Sequence, residues 1–480
     1  MVRPWMVWGM LVVATGAGAA KREPVEGYWL GTTGNEKERI EVGFEIRRDA
    51  DGKAVMKITQ PNMGYYGVDT GETTIRGDRV QNATFMLDLR AKGDALEGTF
   101  PGPRAQARLR RVDALPQPPA LPDVPTGPAP RWQTRLSGQA YASPAVADGV
   151  AYLGTTGGVF NAVKTADGAI AWTFAAGGPI YGTAAIDGDA VYFVSDTGFL
   201  YKLARANGEQ RWRYDLGDRA TPRTLPHPSA GDWDWQAPRP LVADGVVYVG
   251  AGDGGFHAVD AASGTRKWRF AAHGRIRTGA ALDGRRVVFG SADHVVYALD
   301  RADGREAWRF DSKAEIDGAP LVHDGHVFVG NRGPGLYSLA AATGKEEWRL
   351  FFWGSWVEST PLIDDGVLYI GSSDLGHVSA IDPANGHVRW RGNAWGWTFG
   401  TPLLTADRVY AGAAGGAPYF IRHDAGFVSF DRKSGKLLTR WPIADGGGHQ
   451  WGIAGSPVRS GDLAIVATIA GSMLAFPLED

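Results

Sequence analysis

The sequence contains no cysteine. That excludes a disulfide framework, a thiolate metal site, covalently attached haem, a cysteine nucleophile and a cysteine-based lipid anchor. Long apolar runs are missing as well. Beyond residue 20 no stretch approaches the ~18 residues of a membrane helix, so a soluble mature chain without a transmembrane segment is expected. Charge of one sign is also missing. Fifty Lys and Arg against 52 Asp and Glu give a net −2, which argues against a nucleic-acid partner. His-Glu-x-x-His, Gly-x-Ser-x-Gly and phosphate-loop spacings do not occur.

Glycine and tryptophan are plentiful instead, 67 and 18 of 480 residues. They recur together. A Gly precedes a Trp by four places at Gly168/Trp172, Gly208/Trp212, Gly264/Trp268, Gly304/Trp308, Gly344/Trp348 and Gly386/Trp390. Trp132 stands ahead of the series, and Trp441 ends it, following Gly435. Successive Trp residues are 40, 40, 56, 40, 40, 42 and 51 residues apart. Within one unit, 246–250, 256–260 and 266–270 read as short strands separated by Gly, Asp and Ser turns. A four-stranded unit of about this length predicts a β-propeller. Seven intervals make seven units. Residues 463–477 add strands without a Trp strand, and the segment at Trp132 supplies the missing one. Joined, they complete an eighth blade and remove the open edges. The repeat Trp residues read as structural anchors.

The N-terminal part has another texture. Residues 1–20 read as an export signal: Arg3 is the positive end, an apolar run follows, and Ala17-Gly18-Ala19 is a small-residue cleavage pattern. Residues 25–112 alternate in strands at 40–46, 55–58 and 83–89, which predicts a small antiparallel β-barrel or half-barrel. Asp49 to Lys53 mimics the start of a calcium loop but lacks its closing acid, so it reads as a hairpin turn. Asn82-Ala-Thr84 spells a glycosylation sequon and nothing more. Residues 113–130, with seven prolines, read as a semi-rigid linker, and 131–480 as the propeller. The fold class expected is all-β.

The pattern Ala-x-Asp-x-x-x-Gly-x-x-x-Trp at 258–268, 298–308 and 380–390 resembles the pyrroloquinoline-quinone-type (PQQ-like) repeat. That family contains eight-bladed quinoprotein dehydrogenases and non-enzymatic scaffolds, among them a lipoprotein of the outer-membrane assembly machine. The opening Gly27-Tyr-Trp-Leu-Gly31 resembles small lipocalin-like barrels. The dehydrogenases carry adjacent cysteines and long chamber-building insertions. Here cysteine is absent and only two intervals are long, with the extra residues mostly in 219–236 and 412–426. The resemblance therefore implies a cell-envelope binding or scaffold protein, periplasmic or secreted. Its partners would be envelope proteins or a small-molecule or glycan ligand, with no cofactor. The alternative it leaves is a reduced dehydrogenase using PQQ with calcium, or a sugar-active enzyme.

A propeller places its inner strands around a central channel. Aligning the units on Pro144, Ala184, Pro240, Ala280, Pro320, Pro361, Pro402 and Pro457 gives two uneven rings. Three places earlier stand Tyr141, Tyr181, Ala237, Arg277, Asp317, Glu358, Phe399 and Ala454. Five places earlier stand, among others, Trp235, Arg275, Glu315, Trp356 and Trp397. The expected ligand-binding mouth is Tyr141, Tyr181, Trp235, Arg277, Asp317, Trp356, Glu358 and Trp397. Catalytic residues are unassigned and no metal site is expected. Either Arg277 pairs with Asp317 and Glu358, or the carboxylates remain for binding, acid–base work or calcium. His449, just ahead of the last inner strand, reads as a loop histidine, with a general base as the other reading.

Overall fold

Period-two alternation builds the N-terminal sheet, seen in a computed structural model that describes residues 23–34, 39–99, 106–217, 236–333, 335–352, 355–417, 419, 421–444 and 449–479. The expected export signal lies outside them. The strands are β1 (Gly27–Gly34), β2 (Arg39–Arg48), β3 (Ala54–Gln60), β4 (Tyr65–Asp69), β5 (Thr73–Arg76), β6 (Arg79–Asn82), β7 (Leu87–Lys92), β8 (Ala95–Thr99) and β9 (Gln106–Val112). They form one antiparallel sheet in the order β4-β3-β2-β1-β9-β8-β7-β6-β5. Strands β4 and β5 occupy opposite edges although only residues 70–72 separate them. Such a link reaches about 14 Å, whereas nine flat strands measure about 38 Å across. The sheet must therefore curl until its edges face each other, as a half-barrel. Its inward residues include Trp29, Val42, Phe44, Ile46, Met56, Val80, Leu89 and Leu96, all fully buried. Trp29 donates its indole N–H to Val25 O (2.7 Å), and Arg111 lies over its ring at 4.2 Å.

One expectation for this sheet changes. Residues 83–86 form a turn, not the start of a strand. Asn82 Oδ1 accepts the Phe85 N–H (2.8 Å) and Met86 takes φ 49, so the chain reverses before β7. The two protons of the same Asn82 amide are shared among Thr70 O, Thr70 Oγ1, Glu72 O and Thr73 Oγ1, all 3.0–3.1 Å from Nδ2. The amide is buried and spent on the β4–β5 corner. Asp49 to Lys53 is the hairpin turn expected, with Asp49 Oδ1 accepting two backbone N–H groups and Gly52 at φ 77.

The second compact unit is a ring of eight blades, seven of them four-stranded and the seventh in order carrying a fifth strand, Gln450–Gly452. Seven are continuous in the chain. The eighth has the order Trp132–Arg135, Ser472–Pro477, Leu463–Thr468, Val458–Ser460, as the Trp arithmetic requires. Its closing register pairs Trp132 with Ala475, Gln133 with Leu474, Thr134 with Met473 and Arg135 with Ser472.

The Gly-x-x-x-Trp signature has a physical cause. Each indole N–H donates to a backbone carbonyl of the next blade: Trp132 to Thr165, Trp172 to Arg205, Trp268 to Arg301, Trp308 to Ala341, at 2.8–3.0 Å. The same ring then lies on the turn glycine of that blade. A Cβ on Gly304 would stand 2.6 Å from the Trp268 ring, and Gly304 is at φ 74. No other residue satisfies both constraints. Gly304→Ala is expected to cost about 2–4 kcal/mol, combining a left-handed backbone with overpacking. Denaturant titration checks it; a loss under about 0.5 kcal/mol would contradict this origin of the repeat.

The seam needs a substitute because the eighth blade has no covalent turn at that place. The proline-rich segment provides it. Trp441 donates to Pro128 O (2.7 Å), Gly127 lies against the Trp441 ring, and Thr126 bridges to Arg440. The end of the presumed linker thus docks along the seventh blade.

The core also holds a titrating group. His257 is 2% exposed, with Nδ1 3.0 Å from the Tyr214 hydroxyl. Burial, aided by Arg269, pushes its pKa down to about 4. Between pH 6.5 and about 4 the unfolded imidazole binds a proton that the folded one refuses. Stability therefore falls as pH falls through that window, by up to about 3 kcal/mol from this group. In His257→Gln the fall from pH 6.5 to 4.5, followed by urea unfolding, should be shallower. An unchanged slope would rule His257 out as a source.

Candidate binding site in the propeller channel

The first residues of the inner segments converge on a channel mouth of about 620 Å³, including the part open to solvent. All eight positions of the ring three places before the alignment column line it, among them Tyr141, Tyr181, Arg277, Asp317 and Glu358. The two tyrosine rings sit 5.6 Å apart. The ring five places before behaves differently. Trp397 is 2% exposed and donates its N–H to Asp374 Oδ1 (3.0 Å), so it belongs to the wall rather than to an open face. Trp356 is half-buried and packs beside the same cluster. Trp235 lies outside the described residues. His449 is exposed in a loop.

The carboxylates have a partner that sequence alignment on the inner strands did not bring forward. Arg332 Nε lies 2.8 Å from Asp317 Oδ2 and 2.5 Å from Glu358 Oε1. Its guanidinium stacks on Trp356 at 4.8 Å. Backbone geometry places it there: the Arg332 N–H donates to Glu315 O (2.8 Å), two residues before Asp317. Burial opposes the Arg332 charge, but Glu358 and Asp317 outweigh it and hold the guanidinium charged. Burial, with Asp317 alongside, pushes the Glu358 carboxyl up, and Arg332 pulls against it. The network continues outward through Glu315, which pairs with Arg275 at 2.9 Å. The Arg277 guanidinium lies against Gly252, where a Cβ would stand 2.8 Å from Nη2. The glycines of 250–255 therefore make room for side chains: Gly250 for Ile276 and Gly252 for Arg277.

One place before the alignment column runs a further ring, mostly of small residues. In it, backbone N–H groups donate to hydroxyls of neighbouring blades: Ser143 to Thr183 Oγ1 (3.0 Å), Ser456 to Ser143 Oγ (2.8 Å) and Thr401 to Ser456 Oγ (2.9 Å). In the third blade this position is Arg239, a side chain exposed in the channel. Gly279 and Ala319, beside it, leave it room.

These residues do not fit a quinone–calcium pair. The two carboxylates facing the channel both pair with one cation, Arg332, and the sequence offers no adjacent cysteines. Among the described residues no group of three His, Asp or Glu side chains could hold a metal ion.

Comparison with known proteins agrees with this architecture. A family profile described as "Outer membrane protein assembly factor BamB" matches residues 125–183, 162–294 and 292–480. A curated relative, the outer membrane protein assembly factor BamB of Yersinia pestis, is 30% identical over 143 residues, 29% of this chain and 35% of that protein. The match thus spans about a third of that relative's length. The crystal structure of BamB from Moraxella catarrhalis superposes with a TM-score of 0.55 at 20% identity, over 73% of this chain and 97% of that one. Quinohemoprotein alcohol dehydrogenase from Comamonas testosteroni superposes equally, with a TM-score of 0.55 at 14% identity, over 72% and 76%. At these identities the structures speak for the fold alone, whereas the profile spans every blade. The chain belongs to the PQQ-like repeat family described as outer membrane protein assembly factor BamB.

Proposed function

We propose that the chain is a non-catalytic scaffold of the cell envelope, exported under the signal at residues 1–20 to the periplasm or beyond. In this reading it holds a protein partner in the machinery that assembles outer-membrane proteins. The observation that carries the reading is the Arg332 clamp. Both acids share one buried, stacked guanidinium that competes with a metal ion for them, so the channel acids serve the fold. Family membership supports the partner class, and the name of the relatives suggests the process. Among the described residues no helix is long and apolar enough to cross a membrane, which is compatible with export.

The test is affinity purification of the tagged chain from detergent-solubilised envelopes of its own host. An integral outer-membrane assembly component should co-purify at stoichiometric level. Recovery of the chain alone, from cells in which that component is abundant, would sink the reading. In parallel, PQQ with calcium should produce no bound chromophore and no alcohol oxidation.

A further inference from the structure

We infer that the channel mouth is a binding site for a small oxyanion, a phosphate or carboxylate group, held by Arg239 and an arc of hydroxyls. The inference extends the channel-mouth reading and stands apart from the scaffold role. An anion titration involves no partner protein, and co-purification involves no anion, so the two fail separately.

The channel holds more hydrogen-bond donors than the fold uses. Thr183, Ser143 and Ser456 each accept a backbone N–H on the hydroxyl oxygen. Each therefore retains its own O–H proton, and no acceptor for it is found among the described residues. A hydroxyl has one proton to give and two lone pairs, so an oxygen that only accepts in the fold is a donor left over. All three are half-buried and line the channel. They sit on the eighth, first and second blades, and Arg239 follows on the third. Four adjacent blades thus present donors along one continuous arc.

Arg239 sharpens the arc into a cationic site. Its side chain lines the lumen and makes no ion pair or hydrogen bond with a described residue, and desolvation by the channel wall lowers its pKa from arginine's ordinary value. Arginine keeps its charge under any physiological condition, and its planar fork matches the geometry of an oxyanion. The two acids of the lining, on the fifth and sixth blades, pair with Arg332. Arg239 therefore brings positive charge to the same arc as the hydroxyls. Charge-assisted bonds to an anion are about twice as strong as neutral ones. Tyr141 and Tyr181, one ring outward, offer an apolar wall to any body attached to the anionic head.

The experiment is calorimetric titration of the full chain in a sulfate- and phosphate-free buffer, with inorganic phosphate in one arm and benzoate in the other. The phosphate arm reads the head alone; the benzoate arm reads a carboxylate with a ring. Saturable binding below about 10 mM in either arm is expected, relayed by competition between the two. Arg239→Gln should weaken it at least about tenfold and Arg239→Lys less. Melting temperature should stay put in both variants, because the side chain holds nothing in the fold. Absence of saturable binding in both arms overturns the site. So does binding that Arg239→Gln leaves unchanged while the variant melts like the wild type.

Discussion

Replacing Arg332 by alanine is expected to cost about 3–5 kcal/mol of propeller stability. The reason lies in what is left behind. Asp317 and Glu358 side chains are 2% and 0% exposed, and Arg332 itself is 8% exposed. Without the guanidinium, two like charges would face each other away from water. One must take up a proton or the blade must open to hydrate them. A surface pair such as Arg305–Asp303 should cost under about 1 kcal/mol when broken the same way. The origin of the loss can be isolated. If unpaired charge is the cause, adding Asp317→Asn and Glu358→Gln to Arg332→Met should bring stability back to within about 2 kcal/mol of wild type. Thermal and urea unfolding would read both. A single substitution costing under about 1 kcal/mol, or a triple variant no better than the single, would show that the clamp does not hold the channel acids.

How Arg332 escaped the sequence is instructive. The channel rings occupy one column of each repeat, the inner-strand start, and Arg332 comes from another, the turn after the second strand. Its counterparts by repeat position are Thr156, Asp196, Gly252, Ala292, Ser373, Ala414 and Ile469. A lone cation in that column is a visible signal. Arg239 is a second example, standing among Ser143, Thr183, Gly279 and Ala319 one place before the alignment column. By contrast, the blade count, the closure and the membership of the channel ring were legible. They depend on Gly and Trp, whose constraints are local: a left-handed φ and an indole laid on a Cα. Side-chain pairing across blades depends on rotamers and reach, which no period encodes. Trp397 makes the same point from the other side. Expected at the channel mouth, it is drawn into the wall by Asp374 and Tyr419.

The seam is where the ring is weakest, and Trp132→Ala should show it. Truncating a packed Trp costs about 3–5 kcal/mol by itself. Here the residue also anchors a closing strand only four residues long, Trp132–Arg135, which no turn ties to Ser472–Pro477. Freed, that strand exposes the edge of Ser472–Pro477, and apolar edges recruit other chains. Trp308 is the comparison. It lies 8% exposed in a six-residue strand whose blade is covalently continuous. Trp308→Ala should lower stability but leave the chain monomeric, whereas Trp132→Ala should both destabilise and self-associate on size exclusion. Equal behaviour of the two variants would mean that the seam carries no special burden.

The register of that seam fixes the blade count, and the blade count fixes which side chains meet in the channel. A chain without native cysteine allows it to be measured cleanly. Gln133→Cys with Leu474→Cys places two thiols on directly paired residues, where Cα atoms of an antiparallel pair lie about 4.5–5.5 Å apart, within disulfide range. Mild oxidation should close the cross-link in nearly every molecule, seen as a faster band on a non-reducing gel and a linked peptide by mass spectrometry. Gln133→Cys with Phe476→Cys, two residues out of register, should link far less. A cross-link that forms only in the shifted pair, or only between separate molecules, would contradict an eighth blade closed by its own N-terminal strand.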